Sequence, residues 1–203
     1  MAENQRIPFN FTYFAMKLLG KNLYSNPWTA VSEIVANGVD AGAENVFVLV
    51  DMRNKEKAVV EIFDDGTGMS FDDLRQKYAL IGRNKRLEND NVKGKTLGRK
   101  GIGKLAALYL SPKYYIYTKT EHARSAWMID TQGILDSDVP ALVETEYDDG
   151  RIISYNEWTS LKTGTMIHLS DVDLRKIGPE RLKSLPLILA DYYLESVIPV
   201  EIK

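Results

Sequence analysis

The chain has 203 residues, 44% of them hydrophobic and none of them cysteine, and carries a formal net charge of −2. That length and apolar content support one globular domain with a sizeable core, and the lack of cysteine excludes a disulfide framework and cysteine metal sites and fits a reducing cytoplasm. No run of about 18 apolar residues offers a membrane span, and the small net charge excludes a chain that attracts nucleic acid over its whole surface.

The first residues include Arg6 and Pro8 but no signal-peptide core, and "FTYFAMKLLG" then reads as a short helix. Asn26 and Pro27 make an N-cap and first-turn pair, and Gly42 suits the position just past a helix end, so residues 27–41 are expected as a helix. At about 100° per residue, Trp28, Val31, Ile34 and Val35 share one face while Thr29, Glu33, Ala36, Asn37 and Asp40 share the other. The segments "NVFVLVD" and "KAVVEIF" are rich in β-branched and aromatic residues and read as a hairpin-like strand pair around "MRNKE". In "DDGTGMSFDDL" the glycines permit a sharp strand exit, and Ser70 with Asp73 resembles a capping box that opens another helix. From Ile81 the pattern gives way to "IGRNKRLENDNVKGKTLGRKGIGK", a polar, glycine-rich loop long enough to be functional. Between Arg83 and Lys104 eight Lys or Arg face only Glu88 and Asp90, a local excess of six positive charges that leaves the rest of the chain acidic.

Periodicity returns in "IGKLAALYL", followed by strand segments "KYYIYTKT", "SAWMID" and "TMIHLS", a helix around "PERLKSLPLILADYY" interrupted near Pro186, and "VIPVEIK". The expected fold is α+β: a two-layer sandwich whose mixed, mostly antiparallel sheet is covered on one face by helices. Residues 1–203 are read as a single domain, and the strand-like end suggests the N-terminal part of a longer protein.

Three stretches carry chemistry. In "GRKGIGKL", Gly98 to Lys104 fit G-x-x-x-x-G-K, but Leu105 stands where a Walker-type loop needs Ser or Thr for magnesium; Gly101 to Ala106 fit G-x-G-x-x-A, but no strand precedes them. What remains is a phosphate cradle, with glycines exposing backbone N–H groups and a helix starting near Ile102, against the plainer alternative of a basic surface loop. "DDGTGM" is a turn by composition and lacks calcium-loop spacing, yet Asp64 ends an alternating strand and is placed to accept a hydrogen bond from an exocyclic amino group. The face of Glu33, Asn37 and Asp40 has no Lys or Arg for i,i+4 pairing. A solvated stripe is the common fate of such residues; a cleft is the alternative, where Glu33 would activate water and Asn37 would offer magnesium a hard oxygen.

In order, Glu33-x-x-x-Asn37-x-x-Asp40-Ala41, Asp64-x-Gly66-x-Gly68-Met69, Gly98-x-x-Gly101-x-Gly103 and Gly164-Thr165 resemble the four boxes of the GHKL ATPase superfamily, which includes gyrase B, the ninety-kilodalton heat-shock chaperone, MutL, histidine kinases and MORC proteins. The Asn-x-x-Asp-Ala form and "IGRNKR" lean toward the MORC-like and MutL-like side. The resemblance implies the Bergerat fold with ATP and Mg2+ between helices and sheet. It implies Glu33 as general base, Asn37 as the magnesium ligand with Asp40 behind it, and Asp64 on the adenine amino group. Gly66, Gly68 and Met69 would shape the base pocket, Thr165 would support Asp64 or a water, and Gly98, Gly101, Ile102, Gly103 and Lys104 would form a lid over the phosphates. Gly38 departs from the usual Ser or Ala, at a cost of about 1 kcal/mol of helix stability unless packing requires it.

The implied activity is ATP binding and slow magnesium-dependent hydrolysis to ADP and phosphate, with lid closure driving conformational change or a nucleotide-dependent homodimer in a larger protein that has a DNA or protein client. Slow turnover is expected because many relatives complete the site with a Lys or Arg from a following domain, a cation worth about 10³ to 10⁵ in rate in other phosphoryl-transfer systems, and nothing after Thr165 is an obvious candidate for it. One alternative is a histidine-kinase-type phosphotransfer domain, for which neither His122 nor His168 has a suitable setting; another is a nucleotide-sensing or DNA-associated module with little catalysis. Tyr114, Tyr115, Tyr117, Trp28, Trp127 and Trp158 read as core aromatics, and the resemblance assigns no role to residues 121–151.

Overall fold

The computed structural model describes residues 12–24, 26–81, 103–132 and 138–175. Among these, strands β1 (Val46–Asp51), β2 (Ala58–Asp64), β3 (Lys113–Lys119), β4 (Arg124–Asp130), β5 (Val143–Thr145) and β6 (Gly164–Val172) form one sheet in the order β1-β2-β6-β3-β4-β5. Every neighbouring pair is antiparallel, so the expected mixed sheet is wholly antiparallel within the described residues. The latest of these strands in the sequence lies between β2 and β3. That crossover sets Gly164 and Thr165 beside Asp64, one hundred residues away in the chain.

Local chemistry accounts for the helices. In α1 (Tyr13–Asn22) the Thr12 side chain accepts from the Ala15 N–H; in α2 (Pro27–Asp40) Asn26 Oδ1 accepts from Thr29 N–H at 3.0 Å and Pro27 opens the first turn. Gly42 follows α2 with φ of 75°, a left-handed conformation that ends the helix at little cost for glycine. Ser70 and Asp73 form the expected capping box, but the helix it opens is short: α3 (Phe71–Asp73) continues as one π-helical turn, Leu74–Tyr78. The "IGKLAALYL" segment forms a 3₁₀ turn at Gly103–Leu105 and then α4 (Ala106–Leu110). The expected helix near Pro186 and the final strand-like segment fall outside the described residues.

Side-chain alternation divides the sheet residues between two cores. Val46, Val48, Val50, Val60, Ile62, Tyr114, Ile116, Ile129, Ile167 and Leu169 pack with α1, α2 and α4. Phe63, Tyr115, Tyr117, Ala126 and Met166 point the other way and pack with Ile152 and Trp158, where a further helix, α5 (Tyr155–Ser160), covers part of the second face. Residues 121–151, left without a role by the sequence, supply β4, β5 and the 3₁₀ turn Asp149–Arg151 that leads into this cover.

A fully buried carboxylate fastens the second layer. Glu61, 0% exposed on β2, accepts from the N–H groups of Ile153 and Ser154 at 2.8 Å each and from the Ser154 hydroxyl, and it pairs with His168 Nδ1 at 2.9 Å. Burial pushes this carboxyl up, but the bonds from His168, Ser154 and Ile153 outweigh it and hold the group below its ordinary value. Glu61→Ala, which orphans several buried donors at once, is expected to cost about 3 to 5 kcal/mol by urea unfolding at neutral pH. Because the folded pKa is depressed, the Glu61 contribution is present above pH 4.5 and is lost as pH falls through the lower folded value. The variant should therefore show a flatter acid limb of stability against pH than the wild type.

Candidate active site

Helix α2 lies across the end of β2, and the close approach depends on Gly38. A Cβ added there would stand 3.0 Å from both Asp64 Cβ and Val46 Cγ2 and 3.3 Å from Asp64 Oδ2. The propensity cost of a mid-helix glycine is thus the condition for seating α2 against the Asp64 carboxylate. Ala36 is buried in the helix-side core, not turned toward the cleft as the helical projection suggested. Asn37 and Asp40, one turn apart, do line a cavity of about 490 Å³ between α2 and the sheet.

The floor of that cavity is Asp64, only 7% exposed. Gly66 N–H donates to its Oδ1 at 2.9 Å. Burial raises the carboxyl to about 6, while bonds from the backbone N–H groups of Gly66 and Thr165 act in the opposite direction. Two glycines allow the surrounding backbone to converge. A Cβ on Gly68, whose φ is 69°, would overlap the Lys119 carbonyl, and one on Gly164, whose φ is 147°, would overlap the Asp64 carbonyl.

Asp65, which the sequence did not single out, anchors the first half of the same loop. Its Oδ1 accepts from the N–H groups of Glu44 and Asn45 at 2.8 and 2.9 Å, and its Oδ2 accepts from Asn45 Nδ2 at 2.8 Å. Thr67 N–H donates to the Ala41 carbonyl at 3.4 Å, so the loop after β2 is tied to the turn after α2. Such aspartate-rich turns are common, and nothing local marks Asp65 as this anchor.

Met69, Thr165 and Lys104 complete the expected lining, joined by Ile34, Val46, Ile62, Thr67, Asp73, Lys77, Tyr78, Ala107 and Ile167. The apolar members were legible as core residues; that the same side chains form a cavity wall was not. Lys77 and Ser70 hold the Asp73 carboxyl down to about 2.

Glu33 stands at the edge of this group, half-buried, and Gly103 packs against it. A Cβ on Gly103 would come within 2.9 Å of Glu33 Oε2 and 3.9 Å of Asn37 Oδ1, so the end of the glycine-rich segment meets the acidic face of α2. Burial, with the Glu33 charge nearby, raises the Tyr24 phenol and keeps it protonated. Lys104 lines the cavity, but its ammonium donates to the carbonyls of Lys77 at 3.0 Å and Leu80 at 2.6 Å. This ties the start of the α4 segment to the end of the π turn. Gly98, Gly101 and Ile102 lie outside the described residues.

Among the described residues no three His, Cys, Asp or Glu side chains cluster closely enough to hold a metal ion unaided. The donor chemistry suits a magnesium ion, which keeps waters and takes phosphate oxygens as ligands: Asn37 offers an uncharged oxygen at the cavity, one turn from the Glu33 carboxylate. Both histidines lie elsewhere: His168 is buried against Glu61 on the opposite face, and His122 is exposed in the β3–β4 turn.

A buried carboxylate at a strand end, an acid and amide face on a helix one layer above, and a glycine closing against that face thus meet around one cavity and its edge. The family model described as histidine kinase-, DNA gyrase B-, and HSP90-like ATPase matches residues 24–167. The chain belongs to this family. It is a GHKL-type ATP-binding domain, and its curated relatives include MutL proteins. It is 26% identical over 170 residues to the DNA mismatch repair protein MutL of Clostridium tetani, covering 83% of this chain and 24% of that protein. With MutL of Anaplasma phagocytophilum the identity is 27% over 117 residues, 58% of this chain and 18% of the relative. With a candidate type II restriction enzyme, HgiDII, of Herpetosiphon aurantiacus it is 30% over 168 residues, 80% of this chain and 26% of the relative. The GHKL chain thus spans about a quarter or less of these relatives' length. No helix among its described residues is long and apolar enough to cross a membrane.

Backbone crowding around the pocket gives a direct test. Gly68→Ala should lower stability by about 2 to 4 kcal/mol in denaturant unfolding, because strain at positive φ adds to a clash with backbone. Gly42→Ala, with φ of 75° but open space around it, should cost only about 1 kcal/mol.

Proposed function

We propose that the domain binds ATP with Mg2+ in the cavity between α2 and the sheet and hydrolyses it slowly to ADP and phosphate, using nucleotide state to change the conformation of a longer protein. The observation that carries this reading is the convergence of Asp64, Thr165, Asn37 and Gly103, from four separate segments, on one cavity and its edge. Asp64 accepts a hydrogen bond from the adenine amino group, with Gly66, Gly68, Met69 and Thr165 shaping the base pocket around it. Asn37 holds the magnesium, which supplies charge neutralisation for the phosphates when bound, and Asp40 supports that edge. Glu33 orients an attacking water and takes its proton. Gly98, Gly101, Ile102, Gly103 and Lys104 cover the phosphates, a role supported by the glycine spacing and by the excess positive charge from Arg83 to Lys104. Lys104 would exchange the Lys77 and Leu80 carbonyls for phosphate oxygen as that segment closes.

The MutL relatives, named for DNA mismatch repair, support a DNA-associated role, and membership of the GHKL family supports nucleotide-dependent pairing of two copies in a full-length protein. The cysteine-free composition supports a cytoplasmic setting, and the "IGRNKR" segment supports a MORC-like affinity within the family.

Glu33→Ala should abolish phosphate release while leaving ATP affinity within about threefold, measured by a coupled phosphate assay and by calorimetry. Wild-type protein that binds ATP but releases no phosphate, even in its full-length form, would reduce the function to nucleotide sensing. Asp64→Asn should weaken ATP binding by about 100-fold or more without unfolding the domain. Because burial raises the Asp64 carboxyl to about 6 and the amino group bonds to the charged form, adenosine affinity should fall as pH drops through that value. Adenosine has no phosphate to confound the measurement, and Asp64→Asn should remove the dependence.

A further inference from the structure

The base pocket has a support on the sheet that no box of the family pattern contains. Thr118, on β3, is 1% exposed and directly opposite Thr165 of β6. Its hydroxyl accepts from the Met69 N–H at 2.6 Å and has two carbonyls within reach for its own proton, Met69 at 3.3 Å and Gly164 at 3.4 Å. One side chain therefore touches the loop that walls the cavity and the turn that precedes Thr165. The first half of that loop is fixed elsewhere, by Asp65 on the Glu44 and Asn45 amides and by the Ala41 carbonyl. Its second half, Gly68 and Met69, rests against the end of β3, where a Cβ on Gly68 would overlap the neighbouring Lys119 carbonyl.

We infer that Thr118 is a positioning residue for purine recognition: through its hydroxyl it sets the distance between Met69 and the Asp64–Thr165 edge, and so the width of the slot that receives the base. The inference rests on the nucleotide reading above. A hydroxyl is needed because the contact is two-sided, accepting from an N–H and donating to a carbonyl, and a methyl in its place would leave the Met69 N–H without that acceptor. The Met69 wall would then shift away from β3, and the pocket would lose its fit to adenine more than its hold on phosphate.

The test compares Thr118→Val, Thr118→Cys and Thr118→Ser with wild type, using calorimetric titration with ATP and with GTP and thermal unfolding as a check of folding. Val and Cys are expected to weaken ATP binding about tenfold or more and to shrink the preference for ATP over GTP, while Ser, which keeps the hydroxyl, stays within about threefold of wild type on both. If the Val variant does not fold, the contrast between Cys and Ser, alike in shape but unequal in hydrogen bonding, decides the matter. A folded Val or Cys variant with wild-type ATP affinity and selectivity overturns the inference. So does an equal loss for ATP and GTP, which would mark Thr118 as a general structural residue. Wild-type protein that fails to bind ATP removes the nucleotide reading, and this inference with it; wild-type binding with unaltered variants removes this inference alone.

Discussion

A carboxylate buried at the end of a strand organises this domain. Asp64 is withdrawn from water, and its charge is opposed by that burial and supported by the backbone amides of Gly66 and Thr165. Holding it there demands the glycine at 38 that lets α2 approach, the glycine at 164 that lets the β6 turn approach, and the glycine at 66 that turns the chain back toward its own side chain. An isolated buried carboxylate is costly. A partner that donates one more hydrogen bond and excludes the remaining water would recover part of that cost, which is how a structural expense becomes ligand selectivity.

The two faces of the sheet divide the work. Glu61 and Asp64 stand three positions apart on β2, as do Thr165 and His168 on β6, so each strand sends one polar group toward the pocket and another toward the opposite layer. On the far side, Glu61 is saturated by Ile153, Ser154 and His168, which fixes the cover formed by Trp158 and its neighbours. On the near side Asp64 and Thr165 line the cavity. The central strands are thus clamped from behind while their ends border the cavity in front.

Much of the local structure around the candidate site was legible because its constraints are local. The Asn26–Pro27 start, the spacing of Glu33, Asn37 and Asp40, the Asp-Gly turn after β2 and the capping box at Ser70 each follow from backbone chemistry over a few residues. Gly38 was legible only as a cost; the reason for it lies 26 residues further on, at Asp64. The short, π-wound helix after Ser70, the buried Glu61 and the turning of Ala36 into the core were not legible, since each depends on what packs across from it.

Sequence alone determined which residue types are available for the pocket and in what order, because helix caps, strand alternation and glycine turns are set by neighbours along the chain. Tertiary structure decided which of them meet. The insertion of β6 between β2 and β3 is what places Thr165 on Asp64 and Thr118 under Met69. It also turns alternate residues of the same strands into pocket floor or buried clamp. Pairing between distant strands reflects the burial of whole faces at once, a sum over the fold that no local window contains.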